Sequence, residues 1–237
     1  MEVLIEGAAR LSIDLDGEQV EQFRSYYDEL ISWNEKVNLT AVTGWEEVQE
    51  RHFLDSLAVA SALPEAVLGG SGRLLDVGSG AGFPGLPLKI GYPRIGVTLL
   101  EATAKKASFL RHVVDKLGLE GVEVVTGRAE EEAHEPEMRE RYGAVVSRAV
   151  ARLDVLAELC LSFCAVGGVM IAQKGQKVEE EFREARNAIE TMGGGGDARG
   201  MLVRSPVGIG TLVVIEKRRS TPPSYPRRPG IPSKRPL

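Results

Sequence analysis

Sulfur chemistry has little to work with in this chain. Among 237 residues there are two cysteines, Cys160 and Cys164, and three histidines. The two thiols lie four apart on one predicted helical face. That spacing reads as a pair of buried core side chains in a reducing compartment, not as a disulfide or a metal site. No run of about 18 apolar residues occurs, so no membrane-spanning helix is expected. The opening residues are acidic and lack the basic-then-apolar run of a secretory leader. A cytoplasmic protein is the expectation. Acid is absent from Lys217 onward, where seven Lys or Arg stand. The net charge of −5 therefore splits into +7 on this ending and −12 (−5 minus 7) on residues 1–216. An acidic body with a basic ending fits an anionic partner for that ending, nucleic acid first; a solvated, flexible tail is the competing account.

What is present is enough for one large α/β domain. A chain of this length buries about 70–75% of its unfolded surface without staples. Residues 1–60 read as helices. Asp16 with Gln19 is a capping-box pair, and Val20, Phe23, Tyr27, Leu30 and Ile31 follow at helical spacing. Trp33 to Ala41 reads as a loop. Thr43-Gly44-Trp45-Glu46 predicts a second capping box, opening a helix to about Leu63. Arg51 and Asp55 on that helix are one turn apart and read as an i,i+4 ion pair on a solvated face. His52 alone reads as structural.

From Arg73, strand and helix patterns alternate. Strands are expected at Leu74–Val77, Gly96–Glu101, Val122–Thr126, Ala144–Val146 and Val169–Ala172, with helices near 104–117, 153–163 and 178–192. Two last strands, 201–203 and 211–215, flank Pro206 and Gly208 and suggest a hairpin. The run Gly193–Gly196 reads as a loop. Repeated strand–helix units imply a parallel sheet with right-handed crossovers. The expected divisions are an N-terminal helical extension over 1–63 packed on the core, a core over 64–216, and a basic, proline-rich tail over 217–237.

Ligands of such sheets bind beyond the carboxyl ends of the strands. There the sequence places Asp76, Glu101, Ala129-Glu130, Arg148 and Lys174. Gly78, Gly80 and Gly82 directly follow the first strand. By letter, Gly80 to Gly85 matches the dinucleotide pattern G-x-G-x-x-G. Its register is late, however, and Pro84 and Pro87 lack the N–H groups a pyrophosphate would use. Read from Asp76, the loop is D-x-G-x-G-x-G. It suits a ligand without phosphates that carries ribose hydroxyls and a positive centre, which describes S-adenosylmethionine. Glu101, about 20 residues on, is placed to accept from ribose hydroxyls.

With these residues in view, the chain resembles the bacterial 16S rRNA guanine-N7 methyltransferase family, also called glucose-inhibited division protein B. The resemblance rests on Trp33-Asn34, Asn38 to Ala41, Arg51 to Ser56, the loop Asp76 to Gly85, Ser147 to Val150, Gln173-Lys174-Gly175, and the ending from Tyr225 to Leu237. It implies an α/β fold of the class I S-adenosylmethionine-dependent methyltransferase (Rossmann-like) type. It also implies methyl transfer to N7 of a guanosine in the decoding-site loop of 16S rRNA. Cofactor contacts are implied at Gly78, Phe83, Glu101, Ala102, Thr103, Ala129, Glu130 and Arg148, with Ala129-Glu130 at the adenine edge.

The residues agree with that chemistry. No N/D-P-P-Y/F/W follows the fourth strand and no Pro-Cys nucleophile is present. Guanine N7 needs neither, because it offers a lone pair and carries no proton. No catalytic base is named and no metal is expected. Lys174 at the rim, with Arg218, Arg219, Arg227, Arg228, Lys234 and Arg235 in the tail, is the expected set of RNA contacts; a structural ion pair is the equal alternative for Arg148 and Lys174. The expected partner is 16S rRNA or the small ribosomal subunit, without membrane or DNA, acted on by a monomer. A small-molecule methyltransferase and a non-catalytic RNA-binding assembly factor are the alternatives.

Overall fold

The computed structural model describes residues 1–148, 150–175, 178–195, 201–204 and 210–237. Ala149, Gly196, Pro206 and Gly208, named above, lie outside the described residues. Seven strands form one sheet in the order β3-β2-β1-β4-β5-β7-β6. They are β1 (Arg73–Val77), β2 (Gly96–Glu101), β3 (Val122–Thr126), β4 (Tyr142–Arg148), β5 (Cys164–Lys174), β6 (Met201–Arg204) and β7 (Thr211–Glu216). The first five run parallel; β7 pairs antiparallel with both β5 and β6. The chain steps outward from β1 to β3, then returns to β4 on the other side of β1. This is the strand-order reversal at which α/β sheets open a crevice.

The helices are α1 (Glu2–Arg10), α2 (Gly17–Val37), α3 (Trp45–Val48), α4 (Asp55–Leu57), α5 (Glu65–Leu68), α6 (Gly85–Gly91), α7 (Ala104–Lys116), α8 (Ala129–Glu132), α9 (Leu153–Leu161), α10 (Glu179–Glu184), α11 (Arg186–Thr191) and α12 (Ile231–Lys234). One face of the sheet packs on α6 and α7, which α2 covers in turn, and the other packs on α9, flanked by α10 and α11. Residues 1–63 contribute Leu4, Phe23, Tyr26, Leu30, Phe53 and Leu57 to the same apolar cluster as Leu74, Leu86, Leu99 and Phe109. The N-terminal helices are therefore part of one layer of the fold. Among the described residues no helix is long and apolar enough to cross a membrane.

Several local expectations change. The Asp16–Gln19 capping box forms, but α2 continues through Trp33 and ends only at Asn38, in the left-handed region with φ 51°. Asn34 explains the stop, since its Oδ1 accepts the N–H groups of Leu39 and Thr40 at 2.7 and 2.9 Å. The buried stripe of α2 carries Tyr26, not Tyr27; Tyr27 is half-buried at the edge of the core, its ring against Trp45. The second capping box does not form, because the cap is Gly44 and Thr43 stands one residue early. The helix after it is not uniform: Gln49–Leu54 is a π-helix and Ala58–Ala62 a 3-10 turn. Wider turns move Arg51 and Asp55 out of i,i+4 alignment, so Arg51 pairs with Glu47 and Asp55 turns inward. Cys160 ends up in α9 while Cys164 opens β5, so the two thiols share no helical face; both are free and buried.

The basic ending is docked, not free. Lys217 is fully buried, donates to the carbonyls of Leu161 and Met192 at 2.7 and 2.8 Å and to Thr221 Oγ1, and faces Glu140. Arg139 donates to the carbonyls of Thr221, Pro222 and Tyr225. Arg227 grips the Glu158 carboxylate, whose side chain is 1% exposed, at 2.6 Å. Removing one partner of such a pair leaves a charge uncompensated in the interior. Arg227→Ala should lower unfolding stability by about 3–5 kcal/mol, read as a shifted midpoint in urea; an unchanged midpoint would show that the pair carries no such role.

Candidate active site

The site is built from the loop that leaves β1. Gly78 adopts φ +72°, and a Cβ there would stand 2.6 Å from Val150 Cγ2. Any side chain would both strain the backbone and fill the crevice. Asp76 is fully buried, and its Oδ2 accepts the Gly85 N–H at 2.9 Å, the first donor of α6. The helix start is thus occupied by the protein's own carboxylate, with Pro84 before it, which leaves little for a pyrophosphate. Burial pushes the Asp76 carboxyl up to about 7, against the opposing pull of the Gly85 N–H.

Glu101, at the end of β2, ties the loop in place. Its Oε2 accepts from Gly80 N–H at 2.9 Å and its Oε1 from Thr103 N–H at 2.7 Å, at the start of α7. Tyr26 reaches across from α2 and donates to the Ala81 carbonyl. Its ring stacks on Phe83 at 5.5 Å. A cleft of about 390 Å³ opens beside this loop, lined by Gly78, Ser79, Gly80, Ala81, Phe83, Glu101, Ala102, Lys106, Arg148 and Val150, with Leu39, Thr40 and His52 from the N-terminal segment.

Arg148, at the end of β4, joins the sheet to the N-terminal helices. Its guanidinium donates to the Arg51 carbonyl at 2.9 Å, to Asp55 Oδ2 at 3.3 Å and to His52 Nδ1 at 2.8 Å, and lies 5.0 Å from the Phe83 ring centre. Nδ1 also lies 3.0 Å from the Arg51 carbonyl. The arginine N–H is nearer and can only donate, so the geometry favours Nδ1 as the acceptor and the proton on Nε2, toward Thr40 Oγ1 at 2.7 Å. Burial first, then the nearby Arg148 charge, lowers His52 to about 4. A second cleft of about 350 Å³ lies on the other side of this cluster, sharing Arg51, His52, Asp55 and Arg148 with Gln173, Lys174, Gly175, Gly210, Thr211 and Leu212.

The structure brings Gly78, Phe83, Glu101, Ala102 and Arg148 together around one cleft. Thr103 stands just behind it through its bond to Glu101. Ala129 and Glu130, at the start of α8, are outside that lining, and Glu130 Oε1 accepts the Gly230 N–H at 3.0 Å. Lys174 Nζ is held by the Ala151 carbonyl and Glu181, each at 2.6 Å. Of the tail cations, Arg227 is bound to Glu158, Arg219 donates to the Glu190 carbonyl and Arg218 pairs with Glu216, whereas Arg228, Lys234 and Arg235 are exposed. Sequence reasoning missed the inward roles of His52 and Asp55 and gave none to Thr40 or Tyr26; the π-helix that turns His52 and Asp55 inward leaves no periodicity signal. Among the described residues no three His, Cys, Asp or Glu side chains cluster to hold a metal.

These residues fit S-adenosylmethionine. Glu101 is the acid that lines the cleft beside Gly78 and Gly80, and the α6 start that a phosphate would use is already filled by Asp76 Oδ2.

His52 has a pH consequence of known sign. Its folded pKa lies below the unfolded value, so the stability it contributes is present above about pH 6.5 and is lost as pH falls toward 4. The imidazole resonances of His52 in the folded protein should titrate near 4; a midpoint near 6.5 would contradict the Arg148–His52 geometry.

Comparison with known proteins agrees with this site. The family described as GidB, rRNA small subunit methyltransferase G, matches residues 19–196. Two relatives carrying the name Ribosomal RNA small subunit methyltransferase G are similar over the whole chain. One, from Dehalococcoides mccartyi, is 49% identical over 240 residues, covering 100% of both chains. The other, from Pelotomaculum thermopropionicum, is 48% identical and covers 100% of this chain and 98% of its own. Among solved structures, cofactor-bound Rv0187 from MTB (TM-score 0.54, 19% identity, covering 83% of this chain and 91% of that one) shares the fold. So does a putative S-adenosylmethionine-dependent methyltransferase from Methanococcus maripaludis (TM-score 0.52, 11% identity, 82% and 93%). With the glycine loop, the Glu101 tether and full-length similarity in agreement, the chain belongs to the rRNA small subunit methyltransferase G family, enzymes that methylate small-subunit rRNA from S-adenosylmethionine.

Proposed function

We propose that the methyl acceptor is N7 of a guanosine in the decoding-site loop of 16S rRNA, modified in the cytoplasm by a monomeric enzyme. The carrying observation is the pair of clefts that meet at Arg148 and His52. One holds the glycine loop and Glu101; the other is open to a nucleobase. In this reading Gly78, Phe83, Glu101, Ala102, Thr103 and Arg148 bind the cofactor, with Ala129 and Glu130 at the adenine end.

S-adenosylmethionine supplies an electrophilic methyl group. The protein's part is placement. Guanine N7 has a free lone pair and no proton, so the site needs no general base. His52 agrees with this, being neutral and engaged on both ring nitrogens. Holding two reactants in line can contribute on the order of 7–11 kcal/mol. A base in folded RNA must be splayed out to reach such a cleft. About four of Arg218, Arg219, Arg228, Lys234, Arg235 and the rim residue Lys174 then meet rRNA phosphates.

Methyl transfer from labelled S-adenosylmethionine to small subunits lacking the modification should place one N7-methylguanosine in the decoding-site loop, mapped by chemical cleavage. Label elsewhere, or none, would refute the assignment. If about four cations meet phosphates, log Kobs should fall with log salt at a slope near −3. Replacing Arg228, Lys234 and Arg235 by Gln should flatten the slope by about 2, and an unaltered slope would remove the tail from the interface.

A further inference from the structure

The second cleft has its own chemistry. Gln173, in the last turn of pairing between β4 and β5, is 8% exposed and forms part of its wall. Its Nε2 donates to the Asp55 carbonyl at 2.8 Å. That bond fixes the amide, because reversing it would set two carbonyl oxygens against each other. The group left over is an acceptor: Oε1 is buried and has no hydrogen-bond partner among the described residues. Such an atom costs stability unless something donates to it. Asp55 lines the same cleft, with its Oδ2 toward Arg148. Two acceptors therefore stand on the far side of the Arg148–His52 pair from the glycine loop.

Guanine is the base whose geometry matches. Its N7 and its N1–H/N2–H₂ edge lie on opposite sides of the purine. When N7 faces the methyl donor, those donors point away from the cofactor cleft, toward the second one. Adenine would present an unprotonated N1 there, a lone pair against acceptors. The exocyclic amine is the outermost group of the guanine edge; Oε1 is covered in the free protein, so it accepts that amine only as the cleft wall shifts on binding. We infer that Gln173 is a specificity-determining residue whose Oε1 accepts a hydrogen bond from the 2-amino group of the target guanine, with the Asp55 carboxylate taking N1–H.

This rests on the guanosine-N7 reading, and the test separates the two. Small subunits are reconstituted with 16S rRNA carrying either guanosine or inosine at the target position; inosine lacks only the 2-amino group. The wild-type enzyme should favour guanosine by about tenfold or more in kcat/KM. Gln173→Met should reduce activity on guanosine and bring the two substrates to within about threefold, with S-adenosylmethionine affinity unchanged. A residue that only supports Asp55 would, on substitution, slow both substrates equally and keep the ratio. Equal use of both substrates by the wild-type enzyme overturns the proposal without any variant, so a poorly folding Q173M cannot shelter it; so does a ratio in Q173M equal to wild type. No N7 methylation of either substrate would instead overturn the reading on which it rests.

Discussion

The architecture turns on one buried cation. Arg148 leaves the end of β4 and finds the Arg51 carbonyl, the His52 ring and the Asp55 carboxylate, all from a segment nearly 100 residues earlier in the chain. A buried guanidinium without those partners would be expensive. Their presence fixes where the N-terminal segment meets the sheet end, while the core the two share is apolar. It also explains the π-helix over Gln49–Leu54, an irregularity that turns His52 and Asp55 inward and is often found where a site is being shaped. The floor and the roof of the crevice are joined at the point where the two clefts meet.

The glycine loop shows the same economy of parts. Asp76 and Glu101 are acids at neighbouring strand ends, and each accepts a backbone N–H of the loop or of the helix behind it. Together they shape the turn. A loop that satisfies its own helix start with a carboxylate has little use for phosphate and is suited to a cationic ligand with hydroxyls. Gly78, Gly80 and Gly82 all have positive φ; a Cβ would also run into Val150 at Gly78 and into Leu86 and Tyr26 at Gly82, whereas at Gly80 the backbone angle alone favours glycine.

The inner strands were readable because burial on both faces leaves apolar runs, and β2 matches its expected span to the residue. So does the edge strand β3, whose β-branched residues and flanking glycines mark it although it is only partly buried. The strand β4 was read short, since Ser147 and Arg148 are polar, yet their backbones still pair with Ala172 and Gln173. Backbone ladders are indifferent to side-chain polarity at a strand end. Glu101 and Arg148 were legible as site residues from their place after a strand. The inward roles of His52 and Asp55 were not, because a π turn breaks the helical period on which the ion-pair reading depended. The basic ending was legible only as charge. That Arg227 serves the buried Glu158, and that the buried Lys217 faces Glu140, is a tertiary fact, since the two acids stand far away in sequence.

That last pairing bears on how the chain is made. Glu158 sits in α9, at the centre of the second apolar cluster, and its counter-charge is synthesised 69 residues later. During translation the sheet can assemble through β5 while this carboxylate still lacks its partner. The domain therefore reaches its final stability only when the segment that carries Arg227 has emerged and docked, so this ion pair closes after most of the sheet has been made.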